Sequence, residues 1–166
     1  MRGDFRLDTS LWLPLPRAQV FDFFADAFNL ERITPAFLRF TVTTAPPIAM
    51  VAGALIDYRI GLHGLPIAWK TKITLWEPPV RFVDTQLRGP YRQWVHTHTF
   101  DEVDNGTLVK DAVRYRAPGP GWFAALASRL LIARDVTRIF EYRHDALQQA
   151  LGVSGRSGPV TVSAVA

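Results

Sequence analysis

Phe5, Leu7, Thr9, Leu11 and Leu13 occupy every second position, the period of a strand with one face in the core. Pro14 and Pro16 end this strand, and Pro16 suits the first turn of a following helix. Val20, Phe21, Phe24 and Phe28 then lie on one helical stripe, which predicts a helix from Pro16 to about Phe28. Asn29 to Ile33 predicts a second short helical turn, stopped at Thr34-Pro35.

Alternation returns downstream and predicts extended segments at 39–44, 55–62, 65–77, 80–88, 92–102 and 107–116. Asn105-Gly106 marks a tight hairpin, because these residues accept positive φ angles. Gly64, Pro78-Pro79 and Gly89-Pro90 mark the other reversals. Connections this short favour consecutive antiparallel strands. Beyond Pro118-Gly119-Pro120-Gly121 the period changes to about 3.6, with Phe123, Leu126, Leu130, Val136, Phe140 and Leu147 on one stripe. One long helix is predicted over 122–151, ended by Gly152. Residues 153–166 show no clear pattern, and a disordered tail is expected there. Residues 1–152 then form one domain. The fold class is α+β: seven antiparallel strands curled around one long C-terminal helix, with two short helices between the first two strands.

Composition narrows what such a domain does. At 166 residues the chain can bury a substantial core, roughly 68–70% of its unfolded surface for a domain of this size. No cysteine is present, which excludes disulfides, thiolate metal sites and a cysteine nucleophile. No apolar run reaches the ~18 residues of a membrane span, so stable membrane insertion is not expected. The start lacks the pattern of a signal peptide, and a cytoplasmic location is expected. Sixteen of the 19 basic residues are Arg, scattered rather than clustered, and nucleic-acid binding is not expected.

Several local patterns resemble one superfamily when taken in order. They are Pro16-Arg-Ala-Gln-Val-Phe-Asp-Phe-Phe24, Asn29-Leu30 with Ile33-Thr34-Pro35, and Phe82-x-Asp84-x-Gln86 with Gly89-Pro90-Tyr91. Trp94-x-His96-x-His98-x-Phe100, Gly106-Thr107 with Asp111-x-Val113-x-Tyr115, and Ile139-Phe140-x-Tyr142-Arg143 complete the series. The order resembles the helix-grip superfamily of START lipid-transfer domains, birch-pollen-type allergens and polyketide cyclases, called SRPBCC. Within it the chain is most similar to bacterial stand-alone ligand-binding proteins. The resemblance implies a cavity for a hydrophobic ligand between sheet and long helix. It does not imply one reaction, because the fold hosts carriers, cyclases and regulatory modules alike.

Trp94, His96, His98 and Phe100 share one strand face, and the resemblance turns that face toward the cavity. Phe82, Asp84 and Gln86 share a face of the preceding strand, as Asp111, Val113 and Tyr115 do on the following one. Trp69 sits with Ile67, Thr71, Ile73 and Leu75 on a further inward face, while Phe140 and Arg143 come from the long helix. Of these, Trp69, Phe82, Asp84, Gln86, Trp94, His96, His98, Asp111, Tyr115, Phe140 and Arg143 are the expected ligand-binding set. Three readings of its polar members stay open. They form a self-satisfied structural network, or they orient a ligand's polar end, or His-x-His with an Asp holds a metal. The metal reading lacks a third clear ligand, so no metal or other cofactor is expected. No nucleophile elbow, phosphate loop or cofactor motif is present, and no catalytic residue is assigned. His96, His98, Asp84 and Asp111 are the candidates if catalysis occurs.

Trp12 and Trp76 fall on the more polar sides of their strands and are candidates for a homodimer contact. Trp122 is read as a cap contact, and His63 and His144 as surface residues. Phe21, Phe24 and Phe28 are read as core. Two functions follow. The first is non-catalytic binding of a lipid, polyketide or aromatic metabolite. The second is a cyclase-, dehydratase- or hydrolase-type enzyme using a His/Asp pair in the same cavity.

Overall fold

A computed structural model describes residues 4–120, 126 and 131–165. The first strand, β1 (Asp4–Leu13), buries Phe5, Leu7, Thr9, Leu11 and Leu13, the predicted alternate set. Helix α1 (Arg17–Ala25) follows, with Val20, Phe21, Phe23 and Phe24 buried, and ends three residues before Phe28. A short helix α2 (Asn29–Arg32) and a 3-10 turn (Ala36–Leu38) lead to β2 (Thr41–Val42). The predicted strand at 39–44 shrinks to that pair because Arg39 adopts a left-handed conformation, φ 44°. Five long strands then run as a meander: β3 (Leu55–Leu62), β4 (Leu65–Glu77), β5 (Arg81–Arg88), β6 (Gln93–Val103) and β7 (Gly106–Arg116). Asp104 and Asn105 supply the positive φ angles, 51° and 56°, that turn β6 into β7.

The described long helix, α3 (Ala133–Leu151), buries Val136, Phe140, Arg143, His144 and Leu147 along one stripe. Gly152 ends it in the left-handed conformation, φ 67°, its N–H bonding back to the last turn. Trp122, Phe123 and Leu130 lie outside the described residues.

Among the described residues the expected seven strands become nine, all antiparallel in one sheet of order β2-β3-β4-β5-β6-β7-β1-β8, with β9 also on β1. The two additional strands come from the segment expected to be disordered. Strands β8 (Arg156–Ser157) and β9 (Thr161–Ala164) pair with successive stretches of β1. Without them β1 would present a row of unpaired peptide groups. Gly155 and Gly158 permit the approach, since a Cβ at either would collide with Trp12 or Ser10. Val162 packs beside Phe5, Leu7, Val113, Tyr115, Val136 and Phe140.

Two single-residue expectations are corrected, those for Trp76 and His144. Trp12 lies on the more polar side of β1 as expected, where its Nε1 donates to the Val103 carbonyl at 2.8 Å and the Arg156 guanidinium lies 3.9 Å from its ring centre. Trp76 packs inward against Phe21 and Phe82, at 5.1 and 5.4 Å between ring centres. A register shift between Ile73 and Leu75 causes this, because the extra residue in β4 exchanges the two faces beyond it. His144 is buried rather than exposed, and its Nε2 lies 3.1 Å from Thr9 Oγ1 on β1. His63 stays exposed at the β3–β4 turn, 3.2 Å from Asp135 on α3. Among the described residues no helix is long and apolar enough to cross a membrane.

Candidate functional site

Three neighbouring strands build the polar wall. In the registers of β5, β6 and β7, Phe82 lies opposite His98, Asp84 opposite His96, and His98 opposite Asp111. Alternation turns all five side chains to the inner face, where they meet as a square of two carboxylates and two imidazoles. His98 Nε2 is 2.9 Å from Asp84 Oδ2, and His96 Nε2 is 2.7 Å from Asp111 Oδ1. The remaining edges are longer or poorly aligned. His96 Nδ1 is 3.7 Å from Asp84 Oδ2, and His98 Nδ1 lies 3.0 Å from Asp111 Oδ1 without hydrogen-bond alignment. Each imidazole therefore turns one nitrogen toward Asp84 and the other toward Asp111. The two His rings stand 3.7 Å apart between centres, and Phe82 stacks on His98 at 4.1 Å and 15°.

An ionised carboxylate only accepts hydrogen bonds, which fixes the tautomers. His96 carries its hydrogen on Nε2, toward Asp111, and His98 donates from Nε2 to Asp84. Burial opposes ionisation of both carboxylates, but contacts with the imidazoles outweigh it and hold Asp84 and Asp111 below the usual carboxylate range. Burial, reinforced by the neighbouring His98, pulls His96 down and keeps it neutral. For His98 burial also opposes charge, yet Asp111 and Asp84 together raise its pKa.

Arg143 reaches the same region from α3. It is buried, and its guanidinium lies 4.8 Å above the Phe140 ring centre. It makes no ion pair within 4.0 Å among the described residues, and its Nε has no hydrogen-bond partner. Burial lowers its pKa, against the attraction of Asp111 and Asp84. With His98 protonated, the two carboxylates face two cations and the buried set is neutral.

Between this wall and α1, β3, β4 and α3 lies a cavity of about 160 Å³. Eight of the eleven expected residues line it: Trp69, Phe82, Asp84, Trp94, His96, His98, Phe140 and Arg143. Three do not. Asp111 stands behind the imidazoles rather than beside the cavity. Gln86 is occupied by the β5–β6 turn, its Nε2 donating to the Tyr91 carbonyl at 2.7 Å. Tyr115 is fully buried beside Phe5 and Trp94, its hydroxyl without a partner among the described residues. Burial pushes that phenol up to about 12.

Lining residues absent from the expected set include Tyr58, Tyr91 and Phe24. Ile56, Tyr58 and Ile60 alternate on β3, so the face was legible from the sequence, though its proximity to the His pair was not. Burial, with the Asp84 charge, pushes the Tyr58 phenol well above its ordinary value. Phe24 serves both as core and as lining, 5.9 Å from His98 between ring centres.

Residues 13–141 match the family described as polyketide cyclase / dehydrase and lipid transport. The chain belongs to this family. Among solved structures, the ZhuI aromatase/cyclase from Streptomyces sp. R1128 superimposes with a TM-score of 0.71 at 12% identity, over 90% of this chain and 94% of that one. Protein Ms6760 from Mycobacterium smegmatis gives 0.65 at 19% identity, over 89% and 90% of the two chains. A nucleoside-diphosphate sugar epimerase from Corynebacterium glutamicum gives 0.64 at 26% identity, but the match spans 87% of this chain and only 29% of the epimerase. No curated protein matches in sequence. The polyketide cyclase / dehydrase and lipid transport family is a small-molecule-binding fold, and its helix-grip architecture is the one described above.

Proposed function

We propose that the protein binds a small, planar, largely apolar molecule carrying an acidic or carbonyl oxygen, and that it does so without turnover. The observation that carries this reading is Arg143: a buried guanidinium with no ion-pair partner among the described residues, bordering an aromatic cavity. Burying a charge without a partner is costly, so an oxygen of the guest that reaches it gains a strong charge-assisted bond. Size supports a ring over a lipid chain. A dry apolar cavity of ~150 Å³ holds a guest the size of benzene, and this one is about 160 Å³. Thermal-shift and calorimetric screening of matched pairs, such as benzoate against toluene, tests the reading. The carboxylate should bind better to the wild type, and Arg143→Met should erase the preference. Equal binding of both members of a pair by the wild type would overturn it.

A second reading, a cyclase- or dehydratase-type enzyme, rests on His96. Its Nδ1 lone pair is free of hydrogen, while Asp111 fixes the ring from behind at 2.7 Å. That is the poise of a general base. It would take a proton from the carbon beside a carbonyl, leaving the electron pair on an enolate oxygen next to Arg143. The enolate carbon then attacks a second carbonyl, and the proton returns to the new alkoxide. Loss of turnover in His96→Gln, with guest binding retained, distinguishes this reading from binding alone.

A further inference from the structure

Asp84, His96 and His98 each offer one donor atom, and the three atoms lie within 4.8 Å of one another. We propose that these three side chains form a site for one zinc-class divalent cation at the cavity wall, with Asp111 orienting both imidazoles from behind. Distance is the first argument. Ligand atoms at ~2.0–2.1 Å from a tetrahedral zinc stand about 3.3 Å from each other. The separations from Asp84 Oδ2 are 2.9 Å to His98 Nε2 and 3.7 Å to His96 Nδ1, which bracket that value.

The second argument is the far side of each ring. Metal-bound imidazoles commonly donate their other N–H to a carboxylate, which fixes the tautomer and the ring plane. His96 Nε2 already does so to Asp111 at 2.7 Å. His98 Nδ1 lies 3.0 Å from the same oxygen and lacks any other partner. Loss of the Nε2 proton from protonated His98 frees Nε2 for the cation and leaves the Nδ1 hydrogen 3.0 Å from Asp111 Oδ1, where a small rotation of the ring aligns it. Release of one proton thus converts the network into a ligand set.

Access and donor type complete the case. Asp84, His96 and His98 line the cavity and Asp111 does not, so the cation and the guest would meet on the Asp84 side. Three protein ligands leave a position open toward the cavity. Two imidazoles with one carboxylate suit zinc or a neighbouring first-row ion and not calcium or magnesium. Arg143 holds neither carboxylate in an ion pair within 4.0 Å, so Asp84 keeps an oxygen to offer the cation, which takes the place of the proton that His98 gives up.

The test uses tag-free protein treated with a chelator and then dialysed. Zn²⁺ alone is titrated by calorimetry, and Co²⁺ alone is followed by visible absorption. The expected result is one equivalent per chain and the absorption bands of a low-coordinate cobalt centre. Asp84→Asn and His98→Gln should abolish the bands, and Asp111→Asn should weaken Zn²⁺ binding by roughly 10- to 100-fold. His63→Ala, at the exposed pair with Asp135, should change nothing. Wild-type protein that is folded by circular dichroism and binds no Zn²⁺ overturns the proposal, whatever the variants do. So does binding that survives in folded Asp84→Asn and His98→Gln. Guest binding is measured separately, so failure here leaves the reading of the cavity standing.

Discussion

Asp111 Oδ1 lies 2.7 Å from His96 Nε2 and takes no part in lining the cavity beside them. Its role is to hold the ring that does. Replacing Asp111 by Ala leaves the buried His96 N–H without its acceptor and removes one of the two carboxylates that face the His98 imidazolium, and breaking such a buried pair costs on the order of 3–5 kcal/mol. Urea unfolding of Asp111→Ala should show a loss of that size. A loss below about 1 kcal/mol would mean that the square contributes nothing as a unit.

Alkaline stability should reflect Tyr115. Burial raises its phenol from 10.0 to about 12. The sign follows from proton counting: above pH 10 the unfolded chain loses this proton while the folded chain keeps it, so raising the pH favours unfolding. Tyr115 should contribute a fall of up to about 1.4 kcal/mol per pH unit through this window, added to the like contributions of the buried Tyr58 and Tyr91 phenols. Tyr115→Phe should lower the slope by that share and should not reduce stability near neutral pH, since the hydroxyl has no partner among the described residues. An unchanged slope in that variant would refute the assignment.

Phe140 supports both the core and Arg143. It is 2% exposed, touches His96 at 5.5 Å between ring centres, and carries the guanidinium on its face. Phe140→Ala should cost about 3–5 kcal/mol. It should also enlarge the cavity, shifting guest preference toward two-ring compounds in the same calorimetric screen.

The two C-terminal strands stabilise β1. Removing residues 153–166 uncovers its edge and the apolar contacts of Val162. The truncated protein should melt at lower temperature and form higher oligomers on size-exclusion chromatography, as unpaired strand edges do. Gly155→Val in the full chain should produce the same effect more weakly, because its side chain would collide with the Trp12 carbonyl.

Most of the site was written in alternation. Phe82, Asp84, His96, His98 and Asp111 fall on one face of three consecutive strands, and a period of two suffices to collect them. What a period cannot supply is depth or a change of phase. Asp111 and Asp84 are equivalent in pattern, yet only Asp84 reaches the cavity, because depth depends on how the sheet is covered. The extra residue near Thr74 moves Trp76 inward, and nothing in the run Lys72-Ile73-Thr74-Leu75-Trp76 announces it. Gln86 shares the face of Asp84 but is drawn off by a turn whose carbonyl needed a donor. The C-terminal strands were hidden for another reason. Their pairing depends on a vacant edge of β1, some 150 residues earlier in the chain, and not on their own composition.

Because Asp111 stands outside the cavity, one of the two carboxylates that set the protonation of the pocket has no part in its contour. An exchange of Asp111 for Asn would redistribute protons over His96 and His98 while every surface a guest touches kept its shape. Selectivity for size and selectivity for acidity could therefore diverge independently among descendants of this chain.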